Sequence, residues 1–179
     1  MPKAQLIIEQ LAACGITHVV ALPDNTSRVL LETLAAHPTI RVVDVIREGE
    51  AWAVASGLWI GGGTPAVLIQ NTGFFESGDA LRGTAMRMQI PLLCLLTYRG
   101  FATLARLPGG VPAAPIDARV LGQPDVDSCA VMFEPTLKAW GIPYDFLNDD
   151  GEIAKIKTAF DQAQERQHPV ALLITRDTT

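Results

Sequence analysis

Charge is scarce in this sequence. Only 18% of its residues are Asp, Glu, Lys or Arg, against 49% that are apolar. Disordered chains show the opposite balance, because they cannot bury enough apolar surface to offset the entropy of ordering. Basic residues are fewer still, 14 against 19 acidic, for a net charge of −5. A nucleic-acid surface needs a basic face, so none is expected. Long hydrophobic runs are missing too. The longest, Ile90–Thr97, is strand-sized, far short of the roughly 18 residues that span a bilayer, so no membrane span is expected. Met1-Pro-Lys-Ala-Gln leads straight into a helical pattern with no signal-peptide core. The three cysteines, Cys14, Cys94 and Cys129, are widely spaced and form no C-x-x-C, which argues against a zinc site or redox pair. Cys14 and Cys94 sit in apolar stretches and read as buried thiols, and a reducing cytoplasm is the expected compartment.

What is present is an alternation of helix and strand along all 179 residues, about the size of one domain. Ala4–Cys14 reads as a helix closed by Gly15, and His18–Leu22 as a buried strand. Pro23–Ser27 is a turn with several candidate caps, and Val29–Ala36 is helical. Ile40–Ile46 is a second strand, Glu48–Ile60 an alanine-rich helix, and Ala66–Gln70 a third strand. Asn71-Thr72-Gly73 is expected to turn into a helix near Glu76–Met88, followed by a strand over Pro91–Leu96. Tyr98–Ser128, rich in Pro and Gly, reads as a long irregular segment of the kind used as a lid or binding loop. Helix is expected over Glu134–Trp140 and Glu152–Gln167, and strand over Tyr144–Leu147 and Val170–Thr175. Near-continuous apolar strands separated by helices predict a three-layer, doubly wound α/β fold. Its sheet is six-stranded and mostly parallel, with helices on both faces, in a single domain over residues 1–179. Ligands of such folds bind beyond the carboxyl ends of the strands. The segments to search are therefore Pro23–Ser27, Arg47–Glu50, Asn71–Glu76 and Tyr98–Phe101.

Most familiar catalytic patterns are absent. There is no G-x-x-x-x-G-K-[ST], no G-x-G-x-x-G after the first strand and no G-x-S-x-G. His18, His37 and His168 are not paired at metal-ligating spacing. The unusual feature is Arg47-Glu48-Gly49-Glu50, where the second strand gives way to a helix. Two readings stand. Both acids can serve the helix N-terminus, where the dipole favours them, or one can point into the crevice and manage a proton. Glu48 and Glu50, two residues apart, cannot share a face.

The segment from Arg41 to Gly73 resembles the pyrimidine-binding (PYR) domain of thiamine diphosphate enzymes. There, a strand ends in a Glu, a helix rich in small residues runs to a Gly nine positions on, and a further strand ends in a polar, Gly-containing turn. The matching residues are Glu48, Gly57 and Asn71-Thr72-Gly73. Within that family the sequence is most similar to sulfopyruvate and phosphonopyruvate decarboxylases. The likeness lies in Pro23-Asp24, Arg47-Glu48-Gly49-Glu50, Gln70-Asn71-Thr72-Gly73, Arg99-Gly100, Glu134-Pro135-Thr136 and Gly141-Ile142-Pro143. It departs at Tyr98, where those enzymes usually carry His, and at Phe74-Phe75-Glu76, where they have a small Gly/Asn-rich stretch.

The resemblance implies thiamine diphosphate as cofactor and a carboxy-lyase acting on a small anionic 2-oxo acid. It makes Glu48 the catalytic carboxyl, hydrogen-bonded to the aminopyrimidine, with Glu50 a helix-start acid or subunit contact. Thr72 and Gly73 would lie against the pyrimidine, and Asp24, Asn25 and Arg99 would face the substrate. Asp24 and Asn25 can equally cap the following helix, and Arg99 can equally be a surface residue. No metal ligand is expected here. The family grips the diphosphate and its Mg2+ with a second domain marked by G-D-G, which these residues lack. The expectation is an α subunit completed by a β subunit bearing the diphosphate-binding domain, and forming homo-oligomers as well. Alone, it is expected to bind the cofactor weakly and to lack decarboxylase activity. The alternatives are a subunit of another thiamine-dependent lyase or carboligase, and a non-catalytic regulatory or scaffold protein built on the same domain.

Overall fold

The structure, a computed structural model, describes residues 1–104 and 118–179. The chain begins with α1 (Ala4–Ala13), β1 (His18–Ala21), α2 (Arg28–Ala35), β2 (Arg41–Asp44), α3 (Glu48–Ile60) and β3 (Pro65–Gln70). It continues with α4 (Asn71–Glu76), α5 (Gly78–Ala80), a π-helical turn at Leu81–Met86, β4 (Leu93–Thr97), α6 (Phe101–Leu104) and α7 (Ala118–Leu121). It ends with α8 (Ser128–Ala139), β5 (Tyr144–Leu147), a 3-10 turn at Asp150–Glu152, α9 (Lys155–Arg166) and β6 (Val170–Ile174).

The six strands form one sheet in the order β2-β1-β3-β4-β6-β5, and every pairing is parallel. Successive strand residues point to opposite faces, and here each face meets its own layer of helices. Val67 and Ile69 of β3, Cys94 and Leu96 of β4, and Ala171 and Leu173 of β6 pack with Trp52, Phe74 and Phe133. The residues between them, including Ala66, Leu68, Leu93, Leu95 and Leu172, pack with Ile7, Leu11, Leu30, Leu34 and Ile156. The result is the three-layer, doubly wound architecture that the apolar runs predict. α1 ends as expected: Gly15 takes φ +75°, a left-handed conformation that costs glycine little, and the Ile16 amide closes back on the Leu11 carbonyl at 3.1 Å.

Three local expectations change. Asn71-Thr72-Gly73 is the first turn of α4 rather than a loop before a helix. The stretch that follows is broken, because the Ser77 hydroxyl bonds the Phe74 carbonyl (3.0 Å) and the Thr84 hydroxyl bonds the Ala80 carbonyl. A side chain that takes a main-chain acceptor opens the helical ladder, and the Arg87 amide reaches the Arg82 carbonyl five residues back. Finally, α8 starts at Ser128 rather than Glu134, capped by the Asp127 carboxylate on the Ala130 amide (3.1 Å), with Pro135 inside it. Within the expected irregular segment, α6, α7 and the start of α8 are helical, while residues 105–117, with Pro108-Gly109-Gly110, Pro112 and Pro115, lie outside the described residues.

The strand order places a switch point between β1 and β3: the chain moves outward from β1 to β2 on one side and to β3 on the other. The loops beyond the carboxyl ends of those two strands flank the crevice where such folds bind ligands.

Candidate active site

Glu48 is the first residue of α3. The helix starts there because Glu50 reaches back, its Oε2 accepting from the Ile46 and Arg47 amides at 3.1 and 3.3 Å. Glu50 is thus the helix-start acid. Glu48 is left half-buried, and no hydrogen bond to its carboxylate occurs among the described residues. Its side chain lies on the backbone of Gly73, in the first turn of α4. A Cβ at Gly73 would overlap Glu48 Cγ, Cδ and Oε1 far inside contact distance. Glycine at position 73 therefore makes room for Glu48 itself.

Glu76, three residues after Gly73 on the same helix, touches both neighbours of Glu48. Its Oε1 accepts from Arg47 Nη2 at 2.7 Å and Nε at 3.2 Å, and its Oε2 accepts from the Gly49 amide at 2.9 Å. The Arg47 guanidinium, then the Gly49 amide, hold the Glu76 carboxyl below the usual carboxylate range. Deeper in, the Trp52 indole N–H donates to the Ser77 hydroxyl at 2.7 Å and fastens α3 to the end of α4.

The other expected residues line separate hollows. Asp24 is occupied by its own loop and the sheet: Oδ1 accepts from the Thr26 and Ser27 amides (2.6 and 3.0 Å), and Oδ2 from the Thr97 hydroxyl (3.0 Å). Asp24 thus caps the turn before α2 and pins it to the end of β4. Asn25 beside it is exposed, and the two line a depression of about 480 Å³ with Arg28, Leu31 and Asp44. Thr72 is exposed, donates to Gln70 Oε1 at 2.9 Å, and borders a smaller hollow with Phe75, Cys129 and Met132. Arg99 lines neither. Its Nε lies 3.5 Å from Asp127 Oδ2 in a third hollow, with Thr103 and Ser128. The structure thus brings Glu48 and Gly73 together, while Asp24 with Asn25, Thr72, and Arg99 line three separate hollows.

Asn71 joins the set. Fully buried at the end of β3, it donates from Nδ2 to the Arg99 carbonyl at 3.0 Å, while its Oδ1 has no partner. An amide oxygen buried without a partner costs about 1–3 kcal/mol. Its sequence signal is a polar side chain where β3 predicts burial. Tyr98, where His was expected, is buried and donates to the Ala130 carbonyl (2.9 Å) beside Glu134. Tyr144 donates to the other Glu134 oxygen at 2.7 Å. Burial first, then Glu134, pushes both phenols above the usual tyrosine range. Tyr98 is structural here. Ala51 and Ala55 of α3 are in the core, whereas a Cβ on Gly57 would meet nothing among the described residues.

The chain is thus a doubly wound parallel α/β domain with a helix-start carboxylate seated on a glycine. The sequence matches the thiamine pyrophosphate enzyme family, N-terminal TPP binding domain, over residues 1–111, and the chain belongs to that family. Thiamine pyrophosphate is another name for thiamine diphosphate. The α subunit of sulfopyruvate decarboxylase from Methanothermobacter thermautotrophicus is 36% identical over 86 residues, which is 48% of this chain and 52% of that subunit. Phosphonopyruvate decarboxylase from Streptomyces viridochromogenes is 32% identical over 94 residues, 52% of this chain and 24% of that enzyme. The matches thus span about half or less of the relatives' lengths. Benzoylformate decarboxylase from Polynucleobacter necessarius shares the fold at TM-score 0.63 and 16% identity, over 98% of this chain and 30% of that one.

The residues present fit an aminopyrimidine. Such a ring offers an amino donor and a ring nitrogen that shares a proton with a carboxyl. Glu48 and Asn71 Oδ1 are both acceptors without hydrogen-bond partners among the described residues. Among the described residues no cluster of His, Cys, Asp and Glu could hold a metal ion, and no helix is long and apolar enough to cross a membrane.

Proposed function

We propose that this chain is the α subunit of a thiamine diphosphate-dependent 2-oxo acid decarboxylase, acting on a three-carbon oxo acid with an anionic head group such as a sulfonate or phosphonate. One observation carries the reading: the unpartnered Glu48 carboxylate seated on Gly73 at the carboxyl ends of the sheet. The names of the sulfopyruvate and phosphonopyruvate decarboxylase relatives support the reaction class.

In this reading Glu48 holds a proton at N1′ of the aminopyrimidine and returns it, which is general acid–base work for a carboxyl. Gly73 fixes the height of that carboxyl, and Thr72 borders the ring. Asn71 Oδ1 accepts from the amino substituent. When bound, the cofactor supplies a carbanion and an electron sink for loss of CO2. Asn25 and the Asp24-capped loop border the substrate, and Arg99, exchanging Asp127 for the substrate's head group, clamps its anion. The diphosphate and its Mg2+ are held by polypeptide outside these 179 residues, which have no G-D-G. We assign that role to a separate β subunit, on the strength of relatives named as α subunits. The assembly is a heteromer with more than one copy of this chain, and three free thiols suit a reducing cytoplasm.

The test is Glu48→Gln in the assembled complex. The expected result is a fall in kcat of about 100-fold or more with the complex intact. Unchanged turnover would leave the domain a regulatory or scaffold module, and an active complex that forms carbon–carbon bonds instead of releasing CO2 would make it a carboligase subunit.

A further inference from the structure

Among the described residues, Glu76 is the one side chain bonded to the residues on both sides of Glu48. It takes two hydrogen bonds from the Arg47 guanidinium and one from the Gly49 amide. It stands on the six-residue helix that also presents Gly73, one turn away, and residues three apart on a helix share a face. One side of α4 therefore meets the start of α3 twice: at Gly73, where the missing Cβ admits the Glu48 side chain, and at Glu76, which grips the Gly49 amide and the Arg47 guanidinium. The grip does not consume Glu48, whose carboxylate stays without a hydrogen bond among the described residues.

Together these contacts have a consequence for the reaction. The first amides of a helix have no partner within it, and an unrestrained first turn frays. Glu50 secures the amides of Ile46 and Arg47 from inside the helix, and Trp52, a turn further on, fastens α3 to Ser77 at the end of α4, but neither ties both residues flanking Glu48 to α4. Glu76 does, and it does so at the residue after Glu48 as well as the residue before. Resting on the functional reading above, we infer that Glu76 is a positioning residue for Glu48: it sets the register between α3 and α4 that lays the Glu48 carboxyl on Gly73. Arg47 acts through Glu76, orienting its carboxylate by a bidentate contact. A carboxyl that must meet one ring nitrogen tolerates little displacement, since about 1 Å of misplacement can cost on the order of 100-fold in rate.

The first arm of the test needs neither cofactor nor partner. In the full chain, a nuclear Overhauser contact between Glu48 Hγ and Gly73 Hα reads the placement directly. Glu76→Ala is expected to lose that contact while retaining the far-ultraviolet circular dichroism of the wild type. Glu76→Gln, which keeps an oxygen for the Gly49 amide, is expected to retain the contact at reduced intensity. An undiminished contact in Glu76→Ala overturns the inference. Should Glu76→Ala fail to fold, Arg47→Gln carries the same test, with partial loss expected and an undiminished contact contradicting it.

The second arm uses the assembled complex. Glu76→Ala is expected to lower kcat about tenfold or more with KM within about twofold, because placement and not substrate binding is disturbed, and Glu76→Gln is expected to recover most of that loss. If Glu48→Gln abolishes turnover and Glu76→Ala leaves kcat untouched, the positioning role fails and the function stands. If neither variant affects turnover, the functional reading fails and the positioning role in catalysis fails with it.

Discussion

The two faces of the sheet are built from different materials. The layer of α1, α2 and α9 buries aliphatic side chains, Ile7, Leu11, Leu30, Leu34 and Ile156, against one set of strand residues. The layer of α3, α4 and α8 buries rings: Phe74 packs edge-on to Trp52 and Phe133, and Phe133 to Tyr98, with centroids 5.0–6.4 Å apart. It also threads polar bonds between them, Trp52 to Ser77, Tyr98 to Ala130 and Glu134, and Asn71 to Arg99. Aliphatic packing is tolerant of detail, whereas ring edges and buried hydrogen bonds have one geometry. The face that carries Glu48 is the face whose contacts are directional, and the other face supplies bulk cohesion.

Substitutions that separate stability from activity sharpen this contrast. The largest effect is expected from Gly73→Ala on the directional face. The new Cβ would displace Glu48, so activity of the assembled complex should fall by at least as much as in Glu48→Gln, about 100-fold or more. Because the displaced group is a side chain, thermal unfolding of the same variant should move by only a few degrees, and full activity would show that the carboxylate works elsewhere. On the aliphatic face, Leu34→Ala should cost about 2–5 kcal/mol in denaturant unfolding, yet leave kcat per folded complex unchanged. A matching loss of kcat would erase the distinction between the faces. Trp52→Phe keeps the ring and removes the bond to Ser77. The expected cost is about 1–3 kcal/mol, accompanied by a fall in kcat that Leu34→Ala does not show.

A smaller effect is set by pH. Tyr98 and Tyr144 titrate higher in the folded chain than the ordinary phenol value of about 10. The neutral form is the one the fold favours. Their contribution is therefore complete below about pH 10 and is lost as pH rises from there toward the folded-state value. Unfolding free energy measured against pH should decline more gently above about pH 10 in Tyr98→Phe than in the wild type, and identical slopes would mean that the phenol is not buried as described.

The directional face also explains which features could be read from the sequence. The strands, the covered faces and the helix over Glu48–Ile60 follow from local patterns: the central strands β1, β3, β4 and β6 are buried and almost wholly apolar, and the edge strands β2 and β5 are short runs with exposed residues. Glu48 and Gly73 came from a motif. Their contact could not, since it depends on how α4 meets α3. Asn71-Thr72-Gly73 carries turn-forming residues, yet it is helical, with Gly73 against Glu48 and Asn71 bonded to the Arg99 carbonyl. Asp24 was legible as a cap, but its bond to Thr97 crosses β3. Arg99 and Asp127 are 28 residues apart in sequence and meet through the fold alone. Glu76 looked like a departure from the expected pattern, and its partners at Arg47 and Gly49 give the departure a structural meaning.

The central claim, that the carboxyl of Glu48 meets the aminopyrimidine, is tested most directly by the 15N resonance of thiamine diphosphate labelled at N1′ and bound to the assembled complex. The account predicts that Glu48→Gln shifts this resonance strongly relative to the wild type, while a surface change such as Glu165→Gln does not. An N1′ resonance identical in wild type and Glu48→Gln, with the cofactor bound in both, would contradict it.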